Sequence, residues 1–396
     1  MKLAVLSLRH APGGVAGGAE TLLRELARCA VAAGHEVHLL TTCATDHHTW
    51  QNRRPPGTET VDGMRVHSFR VDEDRDTASF YRIQSKLDRR QDLGEREEAL
   101  WLRNGVNSRD LIAWLEREAD SFDRILAGPY LFALVIAATK VRPDKTWLVP
   151  CLHDEPFARL SCVREMFRRV RGLLFNADPE RDLARRLYEL PAEKGAVVGM
   201  GIAAFEADPG AFAKRHGIEH PYVLYCGRRE DGKNTPLLLD YVDAYRKRRQ
   251  SELRLVLTGS GAYHPPDSLR QAVLDFGYVS EAEKREAMAG AQVFIHPSTN
   301  ESFGIVLLEA WMAGTPALVH AKSEVLRWQC GQADAGLWFQ YYPEFEAMMD
   351  LLLGNGTLRR QLGENGRRRV KSLYSPEAVA HRFFNALKDE SYAPNP

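Results

Sequence analysis

Read for apolar and polar positions, the chain opens on Leu3–Leu8, a nearly unbroken apolar run of the kind buried on both faces of a parallel sheet. The glycine-rich segment "APGGVAGGAE" follows. Leu22, Leu23, Leu26, Ala27, Ala30 and Val31 then recur at helical spacing until Gly34 stops them. Val37–Thr42 is the next buried strand, so strand, helix and strand form a parallel unit. Asp72–Gly105 is polar and charged with helical patches such as "REEALWLRNG", and reads as an excursion on the surface of the sheet. "ILAGPYLFALVIAA" and "TWLVPCLHDEP" resume the alternation. A helix is expected from about Asp178 to Leu190, ahead of "AVVGMGI", whose glycines suggest a hinge.

The second half restarts the theme. "YVLYCGRREDGKN" is a strand, a glycine turn and a charged loop, followed by a helix over Thr235–Lys247. "LRLVLTGSGAY" is a further strand with a glycine turn. "AQVFIHPSTNESFGIVLLEAWMAGTPALVH" gives a strand, a loop, a helix beginning at Ser302 or Phe303, and another strand. "SPEAVAHRFFNALKDE" is a helix with Ser375 and Pro376 at its start. The predicted fold class is α/β, with two Rossmann-like doubly wound parallel-sheet domains over residues 1–200 and 201–374. A C-terminal helix over 375–396 is expected to cross back to the first domain. Ligands bind beyond the carboxyl ends of such strands, and two such edges can face one central cleft.

Composition narrows the function classes. With 53 Lys+Arg against 53 Asp+Glu the chain is neutral, which excludes an electrostatic nucleic-acid binder as a whole. Its six cysteines show no metal spacing and read as free thiols in a reducing compartment. The first apolar run is too short for a signal peptide, and no stretch reaches the ~18 apolar residues of a membrane span. A cytoplasmic location is expected. The basic, apolar stretch Arg159–Phe175 fits an amphipathic helix lying on the inner face of a membrane, or a charged face on the domain surface, and the residues do not choose.

The glycine-rich segment resembles two phosphate motifs and completes neither. Gly13 and Gly18 have P-loop spacing, but Ala19 and Glu20 stand where Lys and Ser/Thr belong; Val15 and Ala16 break the dinucleotide fingerprint. In the second half, Glu301 and Glu309 flank the start of an apolar helix whose N-terminus can offer N–H groups to an anion. Glu309 lies within "IVLLEAWMAG", where a buried charge needs a partner. Arg228 and Lys233, at the carboxyl end of a strand, are cations able to neutralise a diphosphate. His153, after "WLVPCL", is either a satisfied core histidine or a site residue. "DEDRD" contains Asp-x-Asp spacing, but in an acidic surface run with no strand to hold it, and no metal site is assigned.

Taken in order, "GGAE", "GHEVHLLTT", "HDEPFARL", "VGMGI", "GRREDGKN", "LTGSG" and "HPSTNESFGIVLLEAWMAGTPALV" resemble segments of the family-4 retaining glycosyltransferases, from Leu3 to about Leu373. "ESFGIVLLE" looks like their Glu-x7-Glu motif. The resemblance implies the glycosyltransferase B fold and a metal-independent transfer of a hexosyl group, without a cofactor, from a nucleoside-diphosphate sugar as co-substrate. The acceptor would be a hydroxyl of a glycan, a lipid-linked glycan or a natural product. It further implies that Arg228 and Lys233 hold the donor diphosphate, Glu309 the ribose and Glu301 the sugar hydroxyls. Backbone amides at Phe303, Gly304, Ile305 and Val306 would meet sugar and phosphate, and His153 would stand beside the anomeric centre. Gly17 and Gly18 would let the backbone approach the β-phosphate, with Glu20 facing the acceptor side or capping the turn. The family's usual chemistry is a front-face reaction in which a departing phosphate oxygen takes the acceptor proton. Closure of the cleft about a hinge near Val198–Phe205 is expected on donor binding. A sugar-nucleotide epimerase of the same fold and a non-catalytic sugar-nucleotide-binding protein remain alternatives.

Overall fold

The opening apolar run is strand β1 (Lys2–Arg9), whose six central residues are buried. It belongs to a computed structural model describing residues 1–10, 17–47 and 49–388. The chain divides into two units, Met1–Met200 with the residues from Val379 onward, and Gly201–Ala378.

In unit 1, helix α1 (Gly18–Ala32) buries Leu22, Leu23, Leu26, Ala27 and Ala30, and β2 (Glu36–Thr42) follows it. A hairpin of β3 (Gly57–Val61) and β4 (Met64–Phe69) leads into α2 (Thr77–Asp88), α3 (Glu95–Asn104) and α4 (Arg109–Glu118). The remaining elements are β5 (Arg124–Gly128), α5 (Ala133–Ala138), β6 (Thr146–Leu148), α6 (Ser161–Arg169), β7 (Gly172–Phe175), α7 (Asp178–Tyr188) and β8 (Gly195–Val197). Among the described residues they form an eight-stranded sheet, β3-β4-β2-β1-β5-β6-β7-β8, parallel except for the hairpin. The strand order reverses between β1 and β5, which places a topological switch point there.

Unit 2 contains α8 (Ala211–His216), β9 (Tyr222–Cys226), α9 (Thr235–Arg249), β10 (Arg254–Thr258), β11 (Val273–Asp275) and α10 (Glu281–Gly290). Then come β12 (Val293–His296), α11 (Ile305–Met312), β13 (Ala317–His320), α12 (Glu324–Ala333), β14 (Gly336–Phe339), α13 (Tyr342–Gly354) and α14 (Gly356–Leu373). The described strands form one parallel sheet, β11-β10-β9-β12-β13-β14, with its switch point between β9 and β12. The last helix, α15 (Pro376–Lys388), joins unit 1 from Val379 on: Arg382 donates to Val198 O, and Arg124 donates to Leu387 O at 3.1 Å.

Three sequence expectations change. The excursion over Asp72–Gly105 is a helix pair that seals the core, burying Ile83, Leu87 and Trp101. Buried Glu98 fastens it to α6, accepting from Ser161 N at 2.9 Å, Ser161 Oγ at 2.6 Å and Cys162 N at 3.2 Å. Arg159–Phe175 is not one helix, because its end is the buried strand β7, and α6 buries Cys162, Val163, Met166 and Phe167 within the unit. The apolar face a membrane-lying helix needs is thus covered by protein. Finally, α11 begins at Ile305, not at Ser302 or Phe303. Gly304 takes φ +83, a left-handed conformation in which the chain turns before the helix starts.

Candidate active site

The densest cluster of sequence-predicted residues lies at the switch point of unit 2. The chain leaving β9 passes Gly227 and Arg228, makes a 3₁₀ turn over Asp231–Lys233 and enters α9. The chain leaving the adjacent β12 passes Glu301 and enters α11 at Gly304. Asn234 Nδ2 donates to Pro297 O at 3.1 Å and ties the two loops together. Lys233 Nζ stands 2.6 Å from Glu301 Oε1, so a cation and an acid predicted for different parts of a donor are paired with each other. Arg228 lies 3.4 Å from Glu230, and its carbonyl accepts from Tyr225 Oη at 2.5 Å.

His296, the last residue of β12, places Nε2 3.5 Å from Glu301 Oε1 and is buried. Burial lowers its pKa to about 4; Lys233 adds to the shift and Glu301 opposes it. A neutral imidazole therefore backs the ion pair at neutral pH. Sequence reasoning passed over this residue, although its place at the end of a strand, five residues before Glu301, is a readable signal.

Glu309 lies in the second turn of α11 and is largely buried. Its Oε1 accepts from Lys284 Nζ of α10 at 3.0 Å, and Lys284 also pairs with Glu281 at 2.9 Å. The other carboxylate oxygen, Oε2, is buried and has no hydrogen-bond partner among the described residues. Burial raises the Glu309 pKa, and Lys284 works against that rise. Burial alone would lower the pKa of Lys284, but the carboxylates of Glu309 and Glu281 outweigh it and the net shift is upward. This is the partner that a charge inside "IVLLEAWMAG" requires.

The N-cap residue of α11 is Gly304, which has no side chain with which to cap the first N–H groups of the helix, among them those of Ile305 and Val306. Phe303 is buried and packs edge-on against Tyr374 with ring centroids 5.4 Å apart. A Cβ on Gly304 would come within 2.6 Å of Leu326 Cδ2.

In unit 1, Gly17 is the N-cap residue of α1 and Gly18 its first residue, while Gly13 and Gly14 fall outside the described residues. Among the described residues Glu20 accepts from no N–H of the turn; its partner is an arginine. Arg9, at the end of β1, grips its Oε1 through Nη2 at 2.5 Å and Nε at 2.8 Å. A Cβ at position 17 would lie 2.3 Å from Glu20 Oε2, so the glycine makes room for this clamp. His153 follows the exit of β6, partly exposed, with Nδ1 3.7 Å from Glu155 Oε1, and that carboxylate accepts from Tyr130 Oη at 2.5 Å. Burial pushes the Glu155 pKa up, but His153 and Tyr130 outweigh it and the net shift is downward.

Asp72 and Asp74 of the Asp-x-Asp run lie 3.4 Å and 2.9 Å from Arg109, and Asp76 caps α2. Among the described residues no group of three or more His, Cys, Asp or Glu side chains is arranged to hold a metal ion, and no helix is long and apolar enough to cross a membrane. The described cysteines are free thiols.

Two predominantly parallel sheets, each with a topological switch point, and an acid-and-cation set at one of those points, define a two-domain Rossmann-like protein of the glycosyltransferase B fold. Residues 16–204 match the family described as Glycosyltransferase Family 4, and residues 211–369 match Glycosyl transferases group 1. The chain belongs to this family, and its activity is glycosyl transfer. It is 28% identical over 362 residues to a D-inositol 3-phosphate glycosyltransferase of Kineococcus radiotolerans, covering 81% of this chain and 78% of that one. Among solved structures it resembles sucrose-phosphate synthase from Thermosynechococcus elongatus, with a TM-score of 0.72 and 18% identity over 97% of each chain. It also resembles Anabaena HepE in complex with UDP-glucose, with a TM-score of 0.69 and 16% identity over 98% of this chain and 99% of that one. These matches favour the transferase over the epimerase and the non-catalytic binder.

Proposed function

We propose that the enzyme moves a hexosyl group from a nucleoside-diphosphate sugar to an acceptor hydroxyl, with retention at the anomeric carbon and without a resident metal ion. The observation that carries the reading is Glu309. One carboxylate oxygen is held by Lys284, and the other is buried without a partner, which suits it to accept from a ribose hydroxyl. Arg228 and Lys233 supply positive charge for the diphosphate from the neighbouring strand end, in place of a divalent cation. The uncapped N-terminus of α11 faces the same chemistry with its amides at Phe303–Val306. Glu301 binds the sugar hydroxyls once an anion takes over Lys233, and His153 acts at the anomeric centre. HepE was solved with UDP-glucose, which makes that sugar nucleotide the first donor to test. For the acceptor, the reading extends to a hydroxyl of a glycan, a lipid-linked glycan or a natural product.

The test is acceptor-free hydrolysis of UDP-, GDP- and dTDP-glucose followed by proton NMR. α-Glucose is expected as the first-formed sugar, at a rate unchanged by EDTA. β-Glucose as the first product, or a loss of activity on chelation that Mg²⁺ restores, would contradict the reading.

A further inference from the structure

We propose that Glu180 is a positioning residue for His153, holding the backbone from which that side chain projects. The inference rests on the reading of His153 as a residue that acts at the sugar. Glu180 stands in the first turn of α7 and is 1% exposed. Its Oε1 accepts from Leu152 N at 2.6 Å, and its Oε2 accepts from Asn176 N at 2.6 Å. Leu152 immediately precedes His153 on the way out of β6, and Asn176 is the first residue beyond β7. One carboxylate therefore joins the exits of two paired strands at the edge of the sheet where ligands bind.

The backbone here needs holding. Cys151 takes φ +53, a left-handed conformation rarely adopted by a residue with a side chain, and the next N–H in the chain is the one Glu180 accepts. Asn176 Nδ2 also approaches Cys151 Sγ at 3.7 Å. Packing alone does not call for an acid at this place. Burial raises Glu180, on balance to about 7, although the two amides pull in the opposite direction. An apolar side chain of similar volume would avoid that desolvation. What it could not do is accept two N–H groups at once from different strands. Glutamine could not either, since it offers one acceptor and one donor, and would set an N–H against an N–H.

The experiment is a double-mutant cycle of Glu180→Gln and His153→Ala. Its readout is the hydrolysis of whichever of UDP-, GDP- and dTDP-glucose the parent enzyme cleaves fastest. Glu180→Gln is expected to lower kcat by about tenfold or more while leaving donor KM within about twofold, because Glu309, Arg228 and Lys233, the side chains proposed to hold the nucleotide, lie in unit 2. In the His153→Ala background the same change should alter kcat by less than about twofold. An equal loss of kcat in both backgrounds would overturn the proposal and leave the role of His153 standing. Parent-like kcat in His153→Ala would remove the reading of His153 and the proposal with it. If Glu180→Gln does not fold, Glu180→Asp keeps both acceptors but withdraws them by one methylene, and the same dependence on His153 is expected. A readout independent of turnover is the imidazole C2–H NMR signal of His153, which should shift in either Glu180 variant. An unchanged signal would count against the proposal.

Discussion

Lys233 and Glu301 hold each other at 2.6 Å, and a diphosphate that recruits the ammonium must open or share that pair. Two variants separate the roles. On the proposed function Lys233→Ala removes the cation that would meet growing charge on the leaving group, and should lower kcat by about 10²–10³. Glu301→Gln relieves Lys233 of its counter-charge and should tighten UDP binding by about threefold to tenfold while lowering kcat. Calorimetry with UDP and steady-state kinetics on both variants provide the check, and weaker UDP binding in Glu301→Gln would contradict the exchange. At the same scale, His67 of unit 1 is lowered to about 4 by burial first and by the charges of His38 and Arg65 next. Its folded pKa lies below the ordinary 6.5, so as pH falls from about 6.5 to about 4 the unfolded chain takes up a proton that the folded chain refuses. Stability is lost through that window, by up to about 1.4 kcal/mol per pH unit for each such histidine. Glu180, raised to about 7, acts in the opposite sense, since its folded form keeps a proton that the unfolded chain releases above the ordinary 4.5. It offsets about one such histidine, and the His67 term itself emerges by difference between variant and parent. Urea unfolding should show His67→Gln losing less stability than the parent between pH 6.5 and 4, whereas parallel curves would contradict the assignment.

The helix α11 shows why an element boundary matters to a site. Gly304 sets its entry in a left-handed conformation, and a methyl group there would meet Leu326. Gly304→Ala should destabilise the protein by about 1–2 kcal/mol and weaken nucleotide binding, because the amides that follow are displaced. A variant with parent-like melting and parent-like UDP affinity would remove the claim. The continuous apolar runs that became β1, β2, β9 and β12 were legible because parallel strands covered on both faces leave no polar alternation to misread. The β3–β4 hairpin was not, since β3, "GTETV", is an exposed edge strand with no apolar signal. The boundary at Ile305 was missed because apolar periodicity runs through "SFGIVLLE", while the turn depends on a torsion angle that only glycine readily adopts. The motifs identified the acids and cations of the site, but not their pairing. Lys233 with Glu301 and Lys284 with Glu309 are contacts made by folding, 68 and 25 residues apart in the chain, which local pattern does not encode. Glu180 was overlooked for a similar reason, because a first-turn acid is ordinary until its partner Leu152 N, 28 residues away, is known.

At the scale of the whole molecule, the two units share a sheet architecture and differ in chemistry. Unit 2 concentrates cations, an uncapped helix N-terminus and a half-satisfied carboxylate at one switch point. Unit 1 presents a clamped glycine turn and His153 on a tethered loop. On the proposed function, the ribose carboxylate Glu309 and the diphosphate cations Arg228 and Lys233 belong to unit 2, and unit 1 adds only the backbone at Gly17 and Gly18 beside the β-phosphate. Amide hydrogen exchange of the full chain, with and without saturating UDP, GDP or dTDP, tests that assignment most directly. With whichever nucleotide binds, slowed exchange is expected at Gly227–Asn234 and Phe303–Val306, with loss of that protection in Glu309→Gln at the same nucleotide concentration. Protection confined to unit 1, or unaltered by Glu309→Gln, would contradict that assignment.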